Sequence, residues 1–180
     1  MKRIKRIFLK AQFHVFKKII GVIVYFSPRL YMDFYNILLK NSGFKINGTP
    51  RFIAKSARFD DFDRITLGDR LVVSMNVHFL THDYSFTTAL IAVNKTPKTD
   101  IGILRNIVVG NNVFIGMNTL ILPGTTIGDN VIIGAGSVVR GNIKSNSICS
   151  GNPAVIIGDI AEFAEKAINR SNQDLQIDNN

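Results

Sequence analysis

The chain has 180 residues, a length that suits one domain with an appended segment. Hydrophobic residues make up 46% and charged residues 19%, which excludes a disordered chain and fits a surface partly covered in an oligomer. Seven of the nine net positive charges sit on Lys2, Arg3, Lys5, Arg6, Lys10, Lys17 and Lys18, so the remainder carries only +2 and lacks the broad basic footprint of a nucleic-acid binder.

Residues 1–45 form a basic segment whose spacing predicts helix over residues 1–40, with a break near Pro28. Ile4, Ile7, Phe8, Ala11, Val15, Ile19 and Ile23 recur at three- and four-residue steps, as on one helical face. The first acid is Asp33. The apolar run Ile19–Phe26 is interrupted by Gly21 and falls far short of the roughly 20 residues that span a bilayer. No small-residue cleavage site follows the basic start, so a secretory signal is not expected.

A six-residue repeat follows. Ile53, Phe59 and Ile65 keep the period, and then the frame slips by two to Leu67, Val73 and Phe79. After residues 83–104, which interrupt the pattern as an excursion loop, aliphatics return at Val109, Ile115, Ile121, Ile127, Ile133 and Val139. Four positions after each lie Val113, Thr119, Thr125, Val131, Ser137 and Ile143, mostly small or β-branched. A period of six fits neither a helix at 3.6 nor a plain strand at 2. It predicts an all-β solenoid over residues 46–158, each unit a short strand and a turn, with coils stacked at roughly 4.8 Å as parallel sheets. Residues 159–170 read as a short helix, and Ser171–Asn180 as a polar, frayed end.

Residues able to carry chemistry are few. Cys149 is the single cysteine, so no internal disulfide forms, which fits a cytoplasmic protein. The histidines are His14, His78 and His82. His78 precedes the inward Phe79 and should face outward, and His82 opens the excursion loop. Two neighbouring histidines without a third ligand do not make the zinc site of a γ-class carbonic anhydrase, so no metal is expected.

The run from Ile115-Gly116-Met117-Asn118 through Gly134-Ala135-Gly136-Ser137-Val138-Val139, closed by Gly151-Asn152-Pro153-Ala154, resembles the hexapeptide-repeat acyltransferases. The nearest branches are the galactoside and maltose O-acetyltransferases and the capsule or O-antigen O-acetyltransferases. The resemblance implies a left-handed parallel β-helix, a homotrimer with sites between subunits, acetyl-CoA as donor and a carbohydrate acceptor. It identifies His82 with the family's catalytic base, an imidazole suited to taking a hydroxyl proton near neutral pH. Asn76 and Asp83 are candidates beside the acceptor, and a sugar-contacting residue is expected near Asp60-Asp61. Gly116, Met117 and Ala135 match positions that hold coenzyme A through backbone groups. Arg140 stands where relatives carry a nearby lysine, whereas Val155 and Gly158 replace cations usually found after the closing motif.

Other readings share the fold. Serine acetyltransferase is disfavoured because its Gly-Gly-Thr-Gly-Lys segment is missing. An N-acetyltransferase of a nucleotide-linked amino sugar and a non-catalytic scaffold are the alternatives. Two expectations attach to the N-terminal helix. It caps the open end of the solenoid, lies on the anionic inner leaflet through residues 1–18 as a peripheral attachment, or does both with opposite faces.

Overall fold

The computed structural model describes residues 2–177, with side chains described over 7–171. It begins with α1 (Lys2–Ile20), a 3-10 turn at Ile23–Tyr25, and α2 (Pro28–Asn41). Ser27 caps α2 by accepting from Leu30 N, and Pro28 at the first helical position makes no demand for a donor there. The break near Pro28 is therefore where the sequence places it.

Two coils follow. The first is β1 (Lys45–Asn47), β2 (Phe52–Ile53) and β3 (Arg58–Phe59), and the second is β4 (Ile65–Gly68), β5 (Val72–Val73) and β6 (His78–Phe79). The chain then leaves the solenoid through β7 (His82–Asp83), α3 (Ser85–Ala92) and β8 (Ile103–Leu104), with β7 and β8 paired antiparallel as a neck. The excursion is thus a small folded unit and not a bare loop. Thr87, buried on α3, accepts from Ile101 N at 2.8 Å and folds the return segment against the helix.

The solenoid resumes with β9 (Ile107–Val109), β10 (Val113–Ile115) and β11 (Leu120–Ile121), then β12 (Thr126–Ile127), β13 (Val131–Ile133) and β14 (Val138–Val139). A partial coil of β15 (Asn142–Ile143) and β16 (Ser147–Gly151) ends it. β17 (Ala154–Asp159) turns back antiparallel on β16 through the Gly151-Asn152-Pro153-Ala154 motif, and α4 (Ile160–Ile177) closes the chain. Helix thus continues through residues 171–177, read from sequence as frayed, while residues 178–180 lie outside the described residues.

Strands stack in parallel into three faces: β1-β4-β9-β12-β15, β2-β5-β10-β13-β16 and β3-β6-β11-β14. Every leading aliphatic of the repeat is inside. Leu67, Val73, Phe79, Val109, Ile115, Ile121, Ile127, Ile133 and Val139 are all at most 1% exposed, so the six-residue period is the period of the core. The second positions are buried too, and the polar ones repay their desolvation locally. Thr119, Thr125 and Ser137 each donate to a carbonyl three residues back, at Gly116, Leu122 and Gly134.

Corners are held by side chains that bridge coils. Between the first and second faces, Thr49 N donates to Asp69, Asp69 N to Asn111, Asn111 N to Asp129 and Asp129 N to Ser145. Asn112, Asn130 and Asn146 stack beside them in the left-handed backbone region that asparagine tolerates, linked amide to amide at 2.9 Å. At the next corner Gly116 is packed so closely that an added Cβ would lie 2.5 Å from Ala135 N.

The frame slip has a structural cause. Inward residues of the third and first faces are six apart at Ile121 and Ile127, but eight apart at Phe59 and Leu67, where a 3-10 turn at Phe62–Arg64 is inserted. A second slip was hidden from the pattern. Val139 and Ile143 are four apart, so Ile143 stacks on Ile127 as a leading residue and Cys149 on Ile133. All three irregularities, the excursion included, fall at the corner between the third and first faces.

At the N-terminal end α1 and α2 pack on the first coil. Phe13, Tyr31, Tyr35 and Leu39 are at most 1% exposed, and Phe13 meets Phe62 at 4.8 Å between ring centroids. The helices therefore do cap the open core, but α1 does so with the face opposite its apolar stripe. Ile7, Phe8, Val15 and Ile19 are 58–64% exposed, while Lys10 and Lys17 point inward to Asp61 and to the Ala57 carbonyl. Ile4 and the basic residues at positions 2, 3, 5 and 6 have side chains outside the described residues.

Candidate active site

Two consecutive turns of the corner between the third and first faces build the site. Thr81 and His82 follow β6, where the excursion departs, and Asp60 and Asp61 occupy the equivalent corner of the coil before. The backbone locks the two levels together. Asp60 N donates to Phe79 O, Thr81 N to Asp60 Oδ2 at 3.3 Å, and Asp61 N to Thr81 Oγ1 at 3.2 Å. The Thr81 hydroxyl in turn donates to Asp61 Oδ2 at 2.9 Å. Thr81 is fully buried, so these bonds work in a partly dehydrated setting.

His82 Nδ1 faces both carboxylates, 3.4 Å from Asp61 Oδ2 and 3.6 Å from Asp60 Oδ2. These separations are longer than ideal hydrogen bonds, as catalytic contacts often are before substrate arrives. With Nδ1 turned toward the acids, Nε2 lies on the far side of the ring as the basic nitrogen left for an incoming hydroxyl. Tyr84 stands edge-on to the imidazole at 5.5 Å and limits its swing. His78 uses Nε2 instead, 3.3 Å from Asp60 Oδ1, so the two histidines share one carboxylate.

Burial raises the cost of ionising Asp61, but hydrogen bonds from Lys10 and Thr81, the Lys10 charge and the His82 contact outweigh it and hold the carboxyl below its usual value. Asp61 is therefore an anion at neutral pH. Among the described residues, no three His, Cys, Asp or Glu side chains are grouped to hold a metal ion.

The other residues singled out from sequence distribute unevenly. Asp83 does not reach the imidazole. It accepts from Ser85 N at 2.8 Å and starts α3. Asn76 sits at the corner between the second and third faces with φ of 57°, its amide donating to Asn118 at 3.2 Å, so it serves the stack while also lining a cleft beside α1. Gly116, Met117 and Ala135 lie on that same corner, with Met117 40% exposed. Arg140 is exposed on the His82 corner, one coil beyond β11 and next to Gly141 at φ 72°. Val155 and Gly158 lie in β17. One chain therefore separates His82 from Gly116, Met117 and Ala135 by the width of the third face. The roles of Asp60 and Asp61 as imidazole partners escaped sequence reasoning. The signal was the two-residue slip between Phe59 and Leu67, since the inserted turn is what carries them there.

Comparison with known proteins extends this description. The model of the bacterial transferase hexapeptide, six repeats, matches residues 106–141. Over 132 residues the chain is 34% identical to Protein CapG of Staphylococcus aureus, covering 72% of this chain and 74% of that one. It is 32% identical over 98 residues to WcaF of Escherichia coli (strain K12), which carries the name of a colanic acid biosynthesis acetyltransferase, covering 54% of this chain and 49% of that one. Among solved structures, a galactoside acetyltransferase in complex with coenzyme A aligns with a TM-score of 0.55 at 22% identity, covering 83% of this chain and 82% of that chain. The shared fold is the left-handed parallel β-helix. The chain spans about half the length of several curated relatives it matches, WcaF among them.

Proposed function

Because the chain belongs to the bacterial hexapeptide transferase family, we propose that it moves an acetyl group from acetyl-CoA to a hydroxyl of a carbohydrate, in the making of a surface polysaccharide. The observation that carries this reading is His82, its Nδ1 held 3.4 Å from Asp61 and its Nε2 left open at the mouth of the excursion. Nε2 takes the proton as the acceptor oxygen attacks the thioester carbonyl. A backbone N–H near the excursion steadies the oxyanion. The C–S bond then breaks, and the departing thiolate receives the proton back from the imidazolium, whose positive charge Asp61 and Asp60 have stabilised in the meantime.

The donor suits the corner at Gly116, Met117 and Ala135. Gly116 lets the next coil pack closely against it, and Met117 gives an exposed apolar flank for a pantetheine chain. Arg140, on the His82 corner, is the candidate cation for the phosphate end of a donor held by the neighbouring copy. Since His82 lies on a different corner, the site is completed by a neighbouring copy, and a homotrimer closes three such sites. The second face supports this. Phe52, Val72, Phe114, Ile132 and Ile148 stack outward along it as an apolar stripe, with Phe114 40% exposed. Peripheral membrane contact through residues 1–18 is supported by the outward apolar ridge of α1 and its basic flanks. No described helix is long and apolar enough to cross a membrane.

A panel of free glycosides, oligosaccharides and sugar diphosphates incubated with acetyl-CoA tests the reading. Thiol release with an acetylated sugar by mass spectrometry is expected. No thiol release with any acceptor would leave a non-catalytic scaffold, and an acetamide product would point to the amino-sugar alternative.

A further inference from the structure

Between α1 and the outer surface of the first two coils lies a cleft of about 680 Å³. Phe13 and Phe59 line its floor. His14, Lys17, Lys18, Lys55 and Arg58 line it as well, and Asp60 is the one carboxylate among its lining residues. Asp60 is already committed, with one oxygen opposite His78 and the other opposite His82. The cleft therefore gathers five basic side chains together with the carboxylate that faces the proposed base.

These cations are held at a cost. Lys17 lies over the Phe13 and Phe59 rings at 5.6 and 5.8 Å and donates to the Ala57 carbonyl. Burial, and then the neighbouring Arg58 charge, lower its ammonium pKa to about 8. Burial and then the charges of Lys17, Lys10 and Lys18 lower that of His14. Like charges crowd a half-dry cavity there, and an anion would relieve both groups. Arg58 projects from the third face in register with His78 and brings a planar fork of donors suited to phosphate oxygens.

We propose that this cleft is an anion subsite of the acceptor, binding the diphosphate of an activated sugar so that the sugar hydroxyl reaches His82. The proposal rests on the reading of His82 as the base, and it names the acceptor class that reading leaves open: a sugar diphosphate ester, whether carried on a nucleoside or on a lipid. A neutral glycoside would leave the cations uncompensated.

The three histidines make the test direct, because each gives its own ring resonances in the full-length protein. Inorganic pyrophosphate, uridine diphosphate and geranyl diphosphate are titrated separately. Saturable binding that raises the His14 pKa is expected, with Arg58→Gln weakening it about tenfold, the loss of one charge-assisted contact. Tighter binding of the uridine compound assigns the nucleoside source, tighter binding of the geranyl compound the lipid source, and equal binding shows recognition of the diphosphate itself. In thiol-release assays Arg58→Gln should raise KM for a diphosphate-linked sugar and leave a neutral glycoside unchanged. The proposal falls if none of the three probes saturates at millimolar concentration, if Arg58→Gln and Lys55→Gln both leave binding intact, or if coenzyme A displaces pyrophosphate from the cleft. The titration needs no acetyl transfer. Its failure leaves the acetyltransferase reading standing, and a failure of thiol release leaves the anion binding standing.

Discussion

Replacing His82 by alanine should leave a folded protein that still binds coenzyme A, with turnover reduced at least about a hundredfold, the usual worth of a positioned base. His78→Ala, measured beside it, should keep most of the activity, because His78 contacts Asp60 and not the ring of His82. Near wild-type rates in His82→Ala would end the assignment. On the proposed mechanism Asp61 positions the ring, and Asp61→Asn should lower kcat about tenfold with KM little changed, since it removes one charge-assisted contact to the ring. It also carries a stability signature. A carboxyl whose pKa is lower in the folded chain stabilises it above the ordinary value of 3.8, and that contribution fades as pH falls through the lowered value. Plots of Tm against pH should therefore lose part of their acid limb in Asp61→Asn, and an unchanged limb would contradict the network. None of this was readable around His82 itself. Its partners come from 21 and 22 positions earlier in the chain, and only the stacking of coils brings them together.

The elements were legible to the extent that a period determines burial. Six-residue spacing located the core residues of the later coils, because each coil packs against copies of itself and the pattern has little else to satisfy. The same logic left the docking face of α1 open. Periodicity shows that a helix has an apolar stripe, not which face will dock, and here a single buried Phe13 with the reach of Lys10 and Lys17 outweighs the whole stripe. The stripe thereby stays exposed. Phe8→Ser combined with Ile19→Ser should abolish flotation with anionic liposomes at low salt while Tm stays constant, because both side chains are more than 60% exposed. Equal flotation of the variant and the parent would exclude this helix as the attachment. The excursion was visible as an interruption, but α3 inside it was not, since eight residues without an apolar rhythm give no helical signal.

At the scale of the whole molecule, the outward stripe on the second face is the surface a trimer would hide. Phe114→Asp sits at its middle and points away from the core, so it should preserve the coil while shifting light scattering from trimer to monomer, and activity should vanish with the trimer. A variant that remains trimeric would move the interface elsewhere. The corner between the third and first faces has a further consequence. Arg105 N donates to Thr81 O at 2.9 Å next to the β7–β8 pair, so the solenoid is closed across the root of the excursion by backbone bonds. The same corner absorbs two extra residues in one coil and two fewer in another, while the remaining faces keep their register. It behaves as an expansion joint. The segment between His82 and Arg105 is in effect an exchangeable cassette, bolted beside the proposed base, and a different one grafted there should alter the choice of acceptor without asking the core to refold.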